Sequence, residues 1–176
     1  MSRILVFDTT CLTHFARAGR LATLQAITAD DRRLVPPEVM REAHAGVAEY
    51  PAIGNLIGQQ WIEIVELDIF ETVRAAAFKG ELGGPPTRHL GECEVLAIAE
   101  ARAGVAVLDD RDARAVAGNN SVKTAGTLSI IAAAVAARTL DETSAAQIVE
   151  ELRSTDMRLP EMAAGFPEWA RRNGLL

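Results

Sequence analysis

The chain has 176 residues, a net charge of −6 and a pI near 5.1, and hydrophobic residues make up 49% of it. This length suits one domain with a sizeable core, and because charges, Gly or Pro interrupt every apolar stretch, we expect no membrane span. The acidic balance argues against a protein that holds nucleic acid through bulk positive charge.

The predicted elements follow one another as short apolar runs and helical patterns. Strands are predicted at residues 4–7, 33–35, 61–67 and 105–108, and at a short segment around Val122. Helices are predicted at residues 9–18, 21–27, 36–43, 52–60, 70–79, 92–103, 110–117, 128–137 and 143–152, and in the tail around Phe166 and Trp169. Four glycines and two prolines predict a loop at residues 80–91.

The alternation of apolar strands with helices predicts an α/β fold. Such strands form a parallel sheet that is covered by helices on both faces, which gives a three-layer α/β/α sandwich. We expect residues 1–152 to form the domain and residues 153–176 to be a C-terminal extension that packs on it.

The cysteines and histidines favour neither a disulfide nor a zinc site. Cys11 and Cys93 lie far apart and form no CxxC pair, so we expect two reduced thiols. The three histidines are scattered without the spacing of metal ligands. Asp8 follows the first apolar run too soon for a signal peptide, and we therefore expect a cytoplasmic protein.

Acidic residues stand near the ends of several predicted strands. Ligands of a parallel sheet bind outside the carboxyl ends of its strands, where these acids would meet. Four segments bring acids to this edge: Asp8, Glu42, Glu92 with Glu94, and Asp109 with Asp110. Hard oxygen ligands without a His or Cys cluster point to Mg²⁺ or Mn²⁺, and such ions support phosphodiester cleavage.

Some of these acids also have a purely structural interpretation. Asp8 and Asp110 both precede helices, where Asp is a common N-cap. Asp110 is also spaced to pair with Arg114. Two adjacent acids directly after a buried strand are poorly placed for stability, so Asp109 and Asp110 favour metal binding most.

Five segments together resemble the PIN-domain family. They are VFDTT at residues 6–10, VPPEVMRE at 35–42, LGECEVLAIA at 90–99, LDDRDAR at 108–114 and GTL at 126–128. The Gly-Glu-x-Glu helix and the Asp-Asp-x-x-Ala-Arg turn resemble a subgroup that contains VapC-like toxins.

The resemblance implies a Mg²⁺- or Mn²⁺-dependent ribonuclease that cleaves single-stranded RNA and is a homodimer. The implied catalytic residues are Asp8, Glu42, Glu94 and Asp110. The implied metal ligands are Asp8, Glu94, Asp110, Asp109 and Glu92, and Glu92 and Glu94 compete for the role of primary ligand. Thr9 and Thr127 match polar positions that support the acids.

The VapC-like subgroup further implies a small antitoxin protein as partner. The simplest inhibitor is a segment that places an Arg or Lys among Asp8, Glu42, Glu94 and Asp110. A guanidinium bridges two carboxylates and thus replaces the charge of the metal.

Two other functions compete with this interpretation. A non-catalytic module with the same fold would bind RNA or protein without cleavage. A haloacid-dehalogenase-type phosphatase also starts with an Asp after its first strand, but it needs a second Asp where this chain has Thr10. Such a phosphatase also needs a lysine, for which Lys79 is the only candidate, and the residues around Lys79 do not match. A dinucleotide-binding protein is disfavoured too, because residues 80–84 lack the GxGxxG spacing.

Overall fold

The computed structural model describes residues 2–176, which form a five-stranded parallel sheet between helices. The strands are β1 Ile4–Phe7, β2 Arg32–Val35, β3 Glu63–Ile64, β4 Val105–Val107 and β5 Thr124–Ala125. Their order across the sheet is β3-β2-β1-β4-β5, and every neighbouring pair is parallel. The predicted three-layer α/β/α fold is thereby confirmed.

The helices form two groups that flank the sheet. The helices are α1 Thr9–Arg17, α2 Leu21–Ile27, α3 Pro37–Gly46, α4 Ile69–Leu82, α5 Leu90–Ala101, α6 Arg111–Asn119, α7 Thr127–Ala136, α8 Glu142–Arg153 and α9 Phe166–Arg172, with a 3₁₀ helix at Pro51–Leu56. In one group α5 packs on β1 and β4 and contacts α3, α4 and α6. In the other α8 joins α1, α7 and α9, and α2 contacts α1 and α7.

Acidic N-caps define where several helices begin. Asp8, Asp110 and Asp141 each accept a hydrogen bond from a backbone N–H in the first turn of α1, α6 and α8. Asp68 and Glu71 form a reciprocal capping box at the start of α4. Asp8 and Asp110 are therefore the helix caps that the sequence predicts.

The apolar core lies on both faces of the central strands. Leu5, Val6 and Phe7 of β1 are at most 1% exposed, and α5 is buried on nearly every side. Parallel strands covered on both faces read as continuous apolar runs, which is why β1 and β4 were predictable. Among residues 2–176, no helix combines the length and the apolar character that crossing a bilayer requires.

Strand order creates one position where connections leave in opposite directions. β1 pairs with β2 on one side and with β4 on the other. The connection after β1 therefore runs toward one edge of the sheet, and the connection after β4 runs toward the other edge. Ligand sites of open parallel sheets form at such a switch point. Asp8 directly follows β1, and Asp109 follows β4 by one residue, so both lie at this point.

Four local predictions need correction. The strand predicted at residues 61–67 shrinks to Glu63–Ile64, an exposed edge strand, and the helix predicted at 52–60 is the 3₁₀ helix Pro51–Leu56. Val122 is buried in a turn, and the strand lies at Thr124–Ala125 instead.

The loop predicted at residues 80–91 is shorter. Helix α4 runs to Leu82, because one glycine inside a helix costs only about 1 kcal/mol, and it ends at Gly83, whose φ is +66°. Helix α5 already starts at Leu90.

Candidate functional site

Asp8 is the most deeply buried acid at the switch point. Its side chain is 3% exposed, and its Oδ2 accepts a hydrogen bond from the backbone N–H of Thr10 at 3.3 Å. Its own N–H donates to the carbonyl of Val107 at 3.2 Å, which ties the end of β1 to β4. The pKa of Asp8 is raised to about 7, mainly by burial and in addition by the nearby charges of Glu92 and Glu42.

Glu42 faces this position from α3. The hydroxyl of Thr9 donates a short hydrogen bond to its Oε2, and the backbone N–H of Gly91 is a second donor. A Cβ at Gly91 would lie 3.0 Å from Oε2, so a side chain there would displace the carboxylate. Burial raises the pKa of Glu42, and the charges of Glu92 and Glu38 act in the same direction. Thr9 therefore orients the carboxylate of Glu42.

The two glutamates of α5 point to different neighbours. Glu92 lies near Asp8 and Glu42, and its Oε1 is 3.1 Å from Nδ1 of His89. Residues two apart on a helix do not share a face, so Glu94 turns away from Glu92.

Glu94 lies on the side of α3. Its Oε2 accepts a hydrogen bond from the N–H of Glu38 at 3.1 Å. Burial raises its pKa, and so do the charges of Glu38, Glu42 and Glu66. Glu92 thus faces the switch point, whereas Glu94 faces the start of α3.

Asp109 and Asp110 have separate partners at the end of β4. Asp109 accepts two hydrogen bonds from Thr127, one from the backbone N–H at 2.9 Å and one from the hydroxyl at 2.5 Å. Asp110 caps α6 through Oδ1, which accepts from the N–H of Ala113 at 2.8 Å. Thr127 is fully buried and therefore fixes the orientation of Asp109.

A cavity of about 450 Å³ opens beside these acids. Its walls include Glu92, Asp109 and Asp110, together with Thr10 and the basic residue Arg111. We call it the acidic cavity. The geometry thus forms a row that runs from Glu94 through Glu42, Asp8 and Glu92 to Asp109 and Asp110.

Each carboxylate of this row has its own hydrogen-bond partner. Within residues 2–176, no three His, Cys, Asp or Glu side chains converge on one point as a preformed ion site. Glu92 and Asp110 each keep one carboxylate oxygen, Oε2 and Oδ2, without a hydrogen-bond partner in this part of the chain. The donors have the oxygen chemistry that Mg²⁺ prefers.

Sequence reasoning missed the C-terminal wall of the acidic cavity. Residues 156–158 close it opposite Asp110, and Thr155 is held against α1 by a 2.6 Å contact between its hydroxyl and Nδ1 of His14. The tail carries no motif that signals this role. Its position becomes evident only from the packing of α8 against α1.

The two cysteines offer no alternative chemistry. Both thiols are free and buried. Burial raises the pKa of Cys11, as does the charge of Asp109, and burial raises that of Cys93 to about 12. A thiol that stays protonated at neutral pH is a poor nucleophile.

Comparison with known proteins decides the family. A family model described as a PIN domain matches residues 4–164. The chain belongs to the PIN-domain family. PIN domains have a nuclease-type fold, and the match covers all the acids described above and the segment that closes the acidic cavity. The comparison with curated proteins gives no match.

Proposed function

We propose that this PIN domain is a metal-dependent ribonuclease that hydrolyses phosphodiester bonds of single-stranded RNA in the cytoplasm. The observation that carries the proposal is the burial of Asp8 between Glu42 and Glu92 at the switch point of the sheet. Buried carboxylates that raise one another's pKa are costly to fold, and such groups concentrate at functional sites. A divalent cation would offset this repulsion.

The donor set fits Mg²⁺ or Mn²⁺ in its chemistry. Asp8, Glu92 and Asp110 would hold the ion, with Asp109 beside them, while Glu42 and Glu94 lie farther along the row. When bound, the ion would supply an activated water and stabilise the charge that develops on the phosphate.

Other residues of the chain keep the acids in place. Thr9 orients Glu42, Thr127 orients Asp109, and His89 lies against Glu92. These partners limit how far each carboxylate rotates before it reaches an ion or substrate.

The two glutamates of α5 provide the first test of these roles. We expect Glu92→Gln to lower the rate of RNA cleavage more than Glu94→Gln, because only Glu92 lines the acidic cavity. Loss of a group that holds or positions a metal ligand typically costs about 10- to 100-fold. Cleavage rates of both variants on one RNA oligonucleotide check this. A larger loss in Glu94→Gln would assign the primary role to Glu94, as the family resemblance implies.

A toxin role is the biological setting that we propose for this activity. The row of acids presents negative charge to solvent, and a small antitoxin that inserts an Arg between Asp8, Glu42 and Glu94 would neutralise it. Expression of the protein alone should then arrest growth, and co-expression of a small protein encoded next to it should restore growth. Harmless expression of an active enzyme would contradict the toxin role and leave the nuclease proposal standing.

We also propose that the protein is a homodimer that pairs through α4. Ile69, Phe70 and Val73 lie on one side of this helix and are 74%, 80% and 67% exposed. An exposed apolar cluster of this kind is typical of an interface, and twofold pairing of identical faces is the commonest way to bury it.

The dimer has a direct test. Phe70→Glu should convert the dimer into a monomer in light-scattering measurements at micromolar concentration. Ile57→Glu, an exposed apolar residue of another segment, serves as the control and should leave the dimer intact. A wild-type protein that is monomeric under these conditions would contradict the proposal.

A further inference from the structure

A second cavity, of about 380 Å³, lies against the acidic cavity. One wall comes from the start of α7 and from α6, with Ser129 and Arg114, and the other comes from the C-terminal segment, with Arg158, Trp169 and Asn173. We call it the C-terminal cleft. Asp109 and Arg158 line both cavities, so the two are continuous. Its volume falls within the range of about 300–1,000 Å³ that is usual for ligand sites.

The charges of the cleft are opposite to those of the acidic cavity. Arg114 and Arg158 are exposed, and in residues 2–176 neither has an acidic partner within 4 Å, whereas ten other arginines of this region do. Both oxygens of the nearby Asp109 accept hydrogen bonds from Thr127 instead. Unpaired guanidinium groups beside a cleft are suited to bind phosphate.

Trp169 gives the cleft an aromatic wall. Its ring stacks against Phe166, with centroids 6.2 Å apart and planes inclined by 26°. Phe166 is 2% exposed and fixed in the core, so it holds the indole in place, while Trp169 itself is only partly buried. A fixed indole next to free guanidinium groups is the combination on which bases of single-stranded nucleic acids stack.

Polar groups for the edge of a base lie close by. The side-chain amide of Asn173 donates to the carbonyl of Trp169 at 2.8 Å, which leaves its Oδ1 free in the described part of the chain. The hydroxyl of Ser129 also makes no hydrogen bond to residues 2–176 and lines the same cleft. The cleft thus combines an aromatic face, phosphate-binding cations and polar groups.

We propose that the C-terminal cleft binds one nucleotide of the single-stranded RNA next to the bond that is cleaved. The base stacks on Trp169, and a phosphate lies between Arg114 and Arg158. This inference rests on the proposed function, because the acidic cavity must hold the reacting phosphate. It gives the C-terminal segment a role in substrate binding that its sequence does not reveal.

Tryptophan fluorescence tests the stacking. The chain has two tryptophans. Trp61 lies outside the cleft, and its Nε1 donates a hydrogen bond to Gln59. Two single-tryptophan proteins, Trp61→Phe and Trp169→Phe, are compared in an Asp8→Asn background, which keeps the RNA intact. A short single-stranded RNA should quench the emission of Trp169 and leave that of Trp61 unchanged. No quenching of Trp169, or equal quenching by a free mononucleotide, would overturn the inference.

The arginines are tested through enzyme kinetics. In an otherwise unchanged enzyme, Arg114→Gln with Arg158→Gln should raise KM about tenfold with kcat nearly unchanged, and should lower the salt dependence of log KM by about 0.7 because one phosphate contact is lost. Arg138→Gln, an exposed and unpaired arginine just past the far end of α7, is the control.

The outcomes separate this inference from the proposed function. If RNA quenches Trp169 but the wild-type protein cleaves no RNA, the proposed binding of RNA in the cleft stands and the proposed nuclease activity is wrong. If the arginine variant cleaves RNA with an unchanged KM, the proposed nuclease activity stands and the proposed binding of RNA in the cleft is wrong.

Discussion

Asp8→Asn is expected to reduce RNA cleavage by more than about 100-fold while the protein remains folded. Loss of a residue that only supports a metal ligand already costs about 10- to 100-fold, and Asp8 is the central acid of the row. Asparagine caps a helix as well as aspartate does, so α1 should persist. Cleavage assays and circular dichroism of the same preparation check both parts.

The matched control is Asp141→Asn. Asp141 also caps a helix, since its carboxylate accepts from the N–H of Ser144 at 2.8 Å at the start of α8, but it is exposed and outside the acidic cavity. This variant should cleave RNA at the wild-type rate. Equal loss of activity in both variants would show that Asp8 acts through the fold and not through chemistry.

The substitution Asp8→Asn should also stabilise the metal-free protein at high pH. The folded-state pKa of Asp8, about 7, lies above its ordinary value of 3.8, so folding favours the protonated acid. Its contribution to stability is complete below pH 4 and is lost as the pH rises to about 7, by up to about 4 kcal/mol. Urea unfolding should therefore show Asp8→Asn more stable than the wild type at pH 8, with the difference vanishing near pH 4.

Removal of divalent metal is expected to abolish cleavage by the wild-type protein. Excess chelator should reduce the rate to background, and Mn²⁺ should restore it, because the carboxylates alone repel an RNA phosphate. Asp8→Asn protein from the same purification controls for contaminating ribonucleases, since many of these need no metal. Cleavage by the wild type that persists in excess chelator would contradict the metal mechanism.

The central part of the fold was predictable because its signals are local. Residues 4–7 are a continuous apolar run that ends at an acid, and this pattern alone predicts a buried strand and a polar group at the sheet edge. The carboxylate of Asp8 caps α1, as the capping interpretation predicts, and it also lies close to Glu92. Its role in a metal site stays a prediction.

The orientation of α5 was not predictable in the same way. Its residues are buried on nearly all sides, so no polar face indicates how the helix is rotated on the sheet. Only the packed structure shows that Glu92 turns toward Asp8 and Glu94 toward α3.

The remaining errors have a common physical origin. β3 and β5 are two residues long and are fixed by pairing with neighbouring strands, so their sequences carry little periodicity. The C-terminal wall of the acidic cavity depends on contacts between segments far apart in the chain, such as the one between His14 and Thr155. Such contacts leave no pattern in either segment alone.

Calorimetric titration with Mn²⁺ tests the central claim most directly, because it needs neither a substrate nor a partner. The claim is that the row of carboxylates around Asp8 is a metal site. Wild-type protein and Asp141→Asn should bind Mn²⁺ with the same affinity and release protons at pH 6, where Asp8 is still largely protonated, with less release at pH 8, whereas Asp8→Asn should show no binding at that site. Equal binding of Mn²⁺ by Asp8→Asn and the wild type, or no binding by either, would contradict the claim.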